Sequence, residues 1–466
     1  MTDYLGQDFL LPSRTGRSLY HDHAVSLPVI DYHCHIDPQA VAEDRRFADI
    51  AELWVCGDPY KWRAMRMNGI PERAITGSAS NHEKFRAWAA TVPCTIGNPL
   101  FHWTGLELKR YFGIDVMLED STADAVWAQC NSRLALPEYS ARGLLNQANV
   151  ELLCTSDDLL DSLAPHRRMR EEGGAPKMLP SLRGDSVVGV EAPGFPSFCT
   201  ALAGQTGTAV GSLDAYKAAV RLRLDVFDGL GCRVADHALD QPVFEPVADG
   251  VAARLFERRI AGGGLSALEL QQLKTALLVF AGAEYHRRGW IMQLHIGAQR
   301  ATSQRLRDLA GPAGGFACIG ASSDVARVCA FLNRLEADGA LPRTILFTLN
   351  PSDTDMYASV TGSFAEDGVP GKVQFGPAWW WCDNRDGIVR QLKALGNMGL
   401  LRRHIGMTTD SRSLLSYSRH EYYRRIVCNL IGEWVDAGEL PRAPDLLAGL
   451  VKDICYFNAK RWLELI

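Results

Sequence analysis

The chain has 466 residues, 47% hydrophobic and 22% charged, which is ordinary for a globular protein with a large core, and its net charge is -5. That balance supplies no electrostatic drive toward nucleic acid or an anionic membrane, and no apolar run reaches spanning length, so the expected partner is a small molecule. The stretch Met1–Asp8 lacks the basic start and apolar centre of a signal peptide, which gives a cytoplasmic expectation, and twelve scattered cysteines without a CxxC pair read as reduced thiols.

In chain order, Arg17–Val25 reads as helix ahead of Pro28. His21 and His23 lie in it two apart, about 200° around a helix, so they cannot share one ion. Pro28–His35 reads as a strand instead. There the same spacing puts His33 and His35 on one face, where both can reach a divalent ion at the strand's C-terminal end, while Cys34 points into the core. The insertion that follows, Pro38–Asn149, is far longer than an ordinary βα loop. Its amphipathic pieces, such as Asn81–Ala90, and the aromatic-basic run Tyr60–Arg66 predict a helical subdomain over 38–149, beside a body made of 1–37 and 150–466.

Further β-prone runs, most ending in a polar residue, are Val150–Ser156, Lys177–Arg183, Cys232–His237, Ile291–His295, Thr344–Asn350, Lys372–Trp379 and Ile405–Asp410. Helical patterns separate most of them, including Leu213–Phe227, Val251–Arg288, Asp324–Ala337 and Asp386–Leu395. Glu172–Pro176, Pro193–Gly211 and Gly262–Gly264 read as surface loops, and two helices, His420–Ala437 and Pro444–Leu465, close the chain. This α/β alternation predicts a (β/α)8 TIM-like barrel with extra C-terminal helices, its functional groups gathered at the strand C-termini.

On that reading the barrel mouth collects His33, His35, Arg183, Asp236, His237, His295, Asn350, Trp379, Trp380, Asp410 and Arg412. Two imidazoles and a carboxylate are a common ligand set for catalytic zinc, which makes Asp410 the third ligand; its alternative role is to cap the following helix. Asp236 and His237 are adjacent, so a strand turns only one inward unless a bulge turns both. The rings of Trp379–Trp381 are expected to alternate between pocket and exterior. Arg183 and Arg412 bring fixed positive charge, which suits a negatively charged polyol acid; the alternative is that they pair with Asp185 and Asp410. Two-ion hydrolases of this architecture often carry a bridging lysine at the end of strand four, and Ala235–Ala238 holds none, so one metal is expected. No GxSxG, P-loop or post-strand GxGxxG occurs.

Seven motifs, Asp31–His35, Tyr60–Arg66, Thr91–Leu100, Ala235–Asp240, Gln293–Ala298, Leu349–Pro351 and Gly406–Tyr417, closely resemble, in order, those of uronate isomerase (glucuronate isomerase), an outlying family of the amidohydrolase superfamily. The resemblance runs from about Leu10 to the C-terminus. It implies interconversion of D-glucuronate with D-fructuronate and of D-galacturonate with D-tagaturonate, an aldose-ketose isomerisation by C2-to-C1 proton transfer through an enediol. It also implies one divalent metal, often zinc, on His33, His35 and Asp410. Asp410, Arg412, Tyr60 and His295 are then the expected catalytic groups, and Arg183, Trp379, Trp380, Asp236, His237 and Asn350 the expected substrate contacts. The family often has histidine just before the tyrosine, where this chain has Pro59. A homo-oligomer is expected. The rival functions are a metal-dependent hydrolase of the same superfamily, and a sugar-acid binder without catalysis.

Overall fold

A computed structural model describes residues 4–464. The apolar runs become strands β1 (Val29–Asp31), β2 (Val150–Asp158), β3 (Lys177–Arg183), β4 (Val234–Leu239), β5 (Ile291–Ile296), β6 (Ala298–Gln299), β7 (Cys318–Ile319), β8 (Thr344–Thr348) and β9 (Val373–Phe375). β6 and β7 form a small antiparallel pair. The other seven make one wholly parallel, curled sheet in the order β1-β2-β3-β4-β5-β8-β9, of TIM-barrel type. Every residue of β5 and of β8 is buried. β8 accordingly reads as an apolar run, Ile345–Phe347, while β5 buries Gln293 and His295, two apart and so on one face, among apolar neighbours.

The expected eighth strand, Ile405–Asp410, is not a regular strand. Gly406 at φ 90° and Asp410 at φ 47° stand in the left-handed region, which interrupts a pleated repeat. The segment nevertheless runs beside the continuation of β1. Asp410 N donates to His33 O at 3.1 Å, His35 N to Ser411 O at 2.9 Å, and the Tyr32 hydroxyl to Gly406 O at 2.8 Å. The first strand is shorter than expected for the same reason. Beyond Asp31 the chain divides its hydrogen bonds between this segment and β2, where Cys34 N donates to Cys154 O at 3.0 Å.

The region between β1 and β2 is helical, including Pro59–Met67, Asn81–Thr91, Pro99–Phe112 and Ala123–Leu134. Trp54, Trp88 and Trp103 from it share one hydrophobic core with Tyr422, Ile426 and Leu430 of the helix Ser418–Asp436. The long pattern Val251–Arg288 breaks into Asp249–Ile260 and Ala267–Arg287, because Ser266 and Glu269 form a capping box that starts a new helix after Gly262–Gly264. Pro193–Gly211, read as a loop, contains the helix Phe195–Thr206, closed by left-handed Gly207. The last expected helix comprises Pro444–Lys452, a wider turn at Asp453–Phe457 and Asn458–Trp462; Leu465 lies outside the described residues. His21 and His23 sit in the helical turn Tyr20–Ala24. All twelve cysteines are free, and Cys34 is buried. Among the described residues no helix is long and apolar enough to cross a membrane.

Candidate active site

Asp31 fixes the seam on which the site is built. Fully buried at the end of β1, it accepts hydrogen bonds from Thr408 Oγ1 at 2.6 Å, Thr409 N at 2.8 Å and the Thr409 hydroxyl. Those bonds hold the chain immediately ahead of Asp410. Asp410 Oδ1 lies 3.3 Å from His33 Nε2 and 3.0 Å from His35 Nε2, while Oδ2 accepts from the indoles of Trp379 at 2.6 Å and Trp380 at 2.8 Å. Both carboxylate oxygens are therefore aimed. Asp410 caps no helix; Ser413 caps the following turn, Leu414–Tyr417.

Donor atoms of His33, His35 and Asp410 fall within 4.8 Å of one another, and so do those of His33, Asp236 and His295. His33 belongs to both groups, and its Nδ1 is buried without a hydrogen-bond partner, 3.9 Å from Asp236 Oδ1. Burial opposes a charge on His33, yet Asp236 and Asp410 pull its pKa up. Burial would likewise raise Asp410, but the two imidazoles hold it well below the usual carboxylate range. Two carboxylates thus favour positive charge at a point ringed by nitrogen and oxygen donors, which fits a divalent cation. Asp236 itself is pushed up, first by burial and then by Asp185, against His33 and Arg183. His295, stacked on Phe347 with ring centroids 4.3 Å apart, is driven well below its usual value by burial and by His33. Its Nε2 has no partner.

These groups line a cavity of about 310 Å³ that also contains Tyr60, Arg63, Arg183, Arg300, Trp379, Trp380 and Arg412. The tryptophan run does not alternate. Trp380 has φ 42°, which turns its ring back beside that of Trp379, and Trp381 stacks on the Arg63 guanidinium at 3.7 Å. Tyr60 stands in the first turn of the helix Pro59–Met67, with Asp58 as N-cap and Pro59 at a position where no backbone donor is missed. Buried Lys61 anchors that helix, 2.6 Å from Asp58 and 3.7 Å from Glu107. The loop carrying Gly315 closes over it: a side chain at Gly315 would strike the Pro59 carbonyl, 2.4 Å away.

Arg183 donates to Asp185 Oδ2 at 3.1 Å and still borders the cavity; Arg412 borders it without a hydrogen bond to Asp410. Two expected substrate contacts lie elsewhere. His237 points to the opposite face of β4, its Nε2 2.9 Å from the Tyr285 hydroxyl, because no bulge disturbs the alternation that turns Asp236 inward. Asn350 lies past the end of β8, where its side-chain oxygen caps the turn Pro351–Asp353 and its side-chain nitrogen donates to Gly320 O at 3.1 Å. Asp58, Arg63, Arg300 and Asp383 were missed. Arg63 was findable, since it follows Tyr60 by three residues on one helix and so shares its face.

The sequence profile of the glucuronate isomerase family matches residues 1–463. The uronate isomerase of Thermotoga maritima is 32% identical, with 99% of this chain and 100% of that one covered and a TM-score of 0.93. The glucuronate isomerase of Caulobacter crescentus is 25% identical over 98% of this chain and 96% of its own, at TM-score 0.91. A uronate isomerase of Bacillus halodurans, 16% identical over 97% and 95% of the two chains at TM-score 0.68, shares the fold. Matched over nearly its whole length by that profile, the chain belongs to the glucuronate isomerase family.

Proposed function

We propose that the protein interconverts D-glucuronate with D-fructuronate and D-galacturonate with D-tagaturonate, with one divalent metal, zinc by its donor set, on His33, His35 and Asp410. The observation that carries this reading is the convergence of two imidazoles and a carboxylate in a cavity that also holds four guanidinium groups. A bound cation would supply Lewis-acid stabilisation of charge developing on the sugar oxygens. Arg183 and Arg412, which line that cavity, take the C6 carboxylate, where a guanidinium makes paired charge-assisted hydrogen bonds. His295 is neutral at ordinary pH and offers a free ring nitrogen to a sugar hydroxyl.

The isomerisation moves a proton from C2 to C1 through an enediol, and a carboxylate on the cavity wall carries it. Asp410 stands at the centre of the cluster and is assigned that task. Asp236 supports a second reading, because its Oδ1 is buried with no hydrogen-bond partner while both Asp410 oxygens are engaged. Incubation with D-glucuronate and D-galacturonate tests the function directly. A ketouronate of unchanged mass is the expected product; a product heavier by one water identifies a hydrolase.

A further inference from the structure

Tyr60 stands in the wall between two cavities. It borders the active-site cavity, and its hydroxyl donates to Asp383 Oδ2 at 2.9 Å. Asp383 in turn borders a second, outer cavity of about 490 Å³. The carboxyl is nearly buried, and charged or titratable groups face it from each element packed on it. Tyr60 and Arg63 come from the helix Pro59–Met67, Arg419 and Tyr422 from Ser418–Asp436, and Asp410 from across the site. His102 borders the same outer cavity, as do Arg385 and Asp386 on Asp383's own segment, next to Cys382. Burial pushes the Asp383 carboxyl up to about 7, although Arg419, the Tyr60 hydroxyl and Arg63 all oppose the rise.

Resting on the isomerase reading, we propose that Asp383 is a positioning residue that switches Tyr60 between hydrogen-bond acceptor and donor toward the substrate, and connects the site to solvent through the outer cavity. When Asp383 is ionised, the Tyr60 hydroxyl donates to it and shows the substrate only lone pairs. When Asp383 is protonated, its own O–H donates to the phenol oxygen and the phenol proton is released toward the sugar. Isomerisation needs that second form, because O1 must gain a proton as the enediol forms and O2 must lose one as it collapses. In the first half, the Tyr60 O–H bond breaks as O1–H forms, and the Asp383 proton passes to the phenol oxygen. In the second half, the O2 proton moves to Tyr60 and the Tyr60 proton returns to Asp383. The pair ends as it began, with no net gain or loss of protons.

The test is the pH dependence of kcat and KM for D-glucuronate, measured on metal-loaded wild type, Asp383→Asn, Tyr60→Phe and the double variant. Wild-type kcat is expected to fall as pH rises through about 7, where Asp383 gives up its proton. Asp383→Asn is expected to abolish that limb and lower kcat by ~10²-fold while KM stays within about threefold, and the double variant to be no slower than Tyr60→Phe alone. A limb that survives in Asp383→Asn, or single losses that multiply in the double variant, overturns the proposal. Should Asp383→Asn not fold, Asp383→Glu keeps a titrating carboxyl on a longer arm; a displaced limb supports the switch and an unmoved limb overturns it. A wild type that does not isomerise the uronate at all refutes the isomerase reading instead.

Discussion

Asp410 is held from four directions, by two imidazoles on one oxygen and two indoles on the other, on a left-handed backbone that asparagine tolerates as well as aspartate does. Asp410→Asn keeps the local shape and one acceptor oxygen, removes the charge, and turns the other oxygen into an NH2 donor. Activity is expected to fall by at least ~10²-fold with a loss of bound metal, whereas Asp236→Asn retains the metal; near-normal turnover in Asp410→Asn would sink its assignment. His33→Ala and His35→Ala should lower metal content and activity together, measured by elemental analysis, and the same changes at His21 and His23 should leave the metal in place. Arg412→Met should keep the metal and impair turnover of the uronate. The convergence of His33 and His35 was legible because two-residue spacing in extended chain is a geometric statement. His237 and Asn350 were misplaced because each closes a β-prone run in polar character, whereas His237 lies inside β4, where the register sets its face, and Asn350 lies beyond the end of β8. Asp383 left no local signal: its partner Tyr60 is more than three hundred residues away.

At the scale of elements, the weak point is the seam between β1 and Ile405–Asp410. Side chains and single backbone bonds join it where a ladder would otherwise run, and Asp31 is the principal tie. Asp31→Ala strands the Thr409 amide and the Thr409 hydroxyl, while the Thr408 hydroxyl keeps His33 O as acceptor, so a loss of about 1–3 kcal/mol is expected in denaturant unfolding. Activity should drop beyond what that loss explains, since Asp410 follows directly; unchanged kcat in the folded variant would show that Asp31 does not position the carboxylate. Seven of the strands were legible from apolar runs, and their ends were not. Where a run continues past its ladder, as after Asp31, composition is the same on both sides of the boundary. The helix Phe195–Thr206 was hidden by its glycines and prolines, one of which occupies the first turn, where proline is tolerated.

The molecule as a whole carries a net charge of -5, yet Arg63, Arg183, Arg300 and Arg412 surround its central cavity. Arg63 and Arg412 have no ion-pair partner among the described residues. These two guanidiniums would attract an anionic substrate, against the carboxylates of Asp58, Asp236 and Asp410 on the same wall. The kcat/KM for D-glucuronate should fall several-fold between roughly 0.02 and 0.2 M salt, while a neutral hexose is turned over poorly at every salt concentration. A flat profile for the uronate would restrict these arginines to contact after binding.

The seam also sets an order of events. His33 is made 375 residues ahead of Thr408, which with Thr409 ties Asp31 to the segment that ends in Asp410. A growing chain displays both histidines throughout that interval without the third of these residues. A metal on the proposed ligands would accordingly be completed only once both segments are present, and would fasten the β1 end to the segment Ile405–Asp410, as a clasp on assembly besides any chemistry.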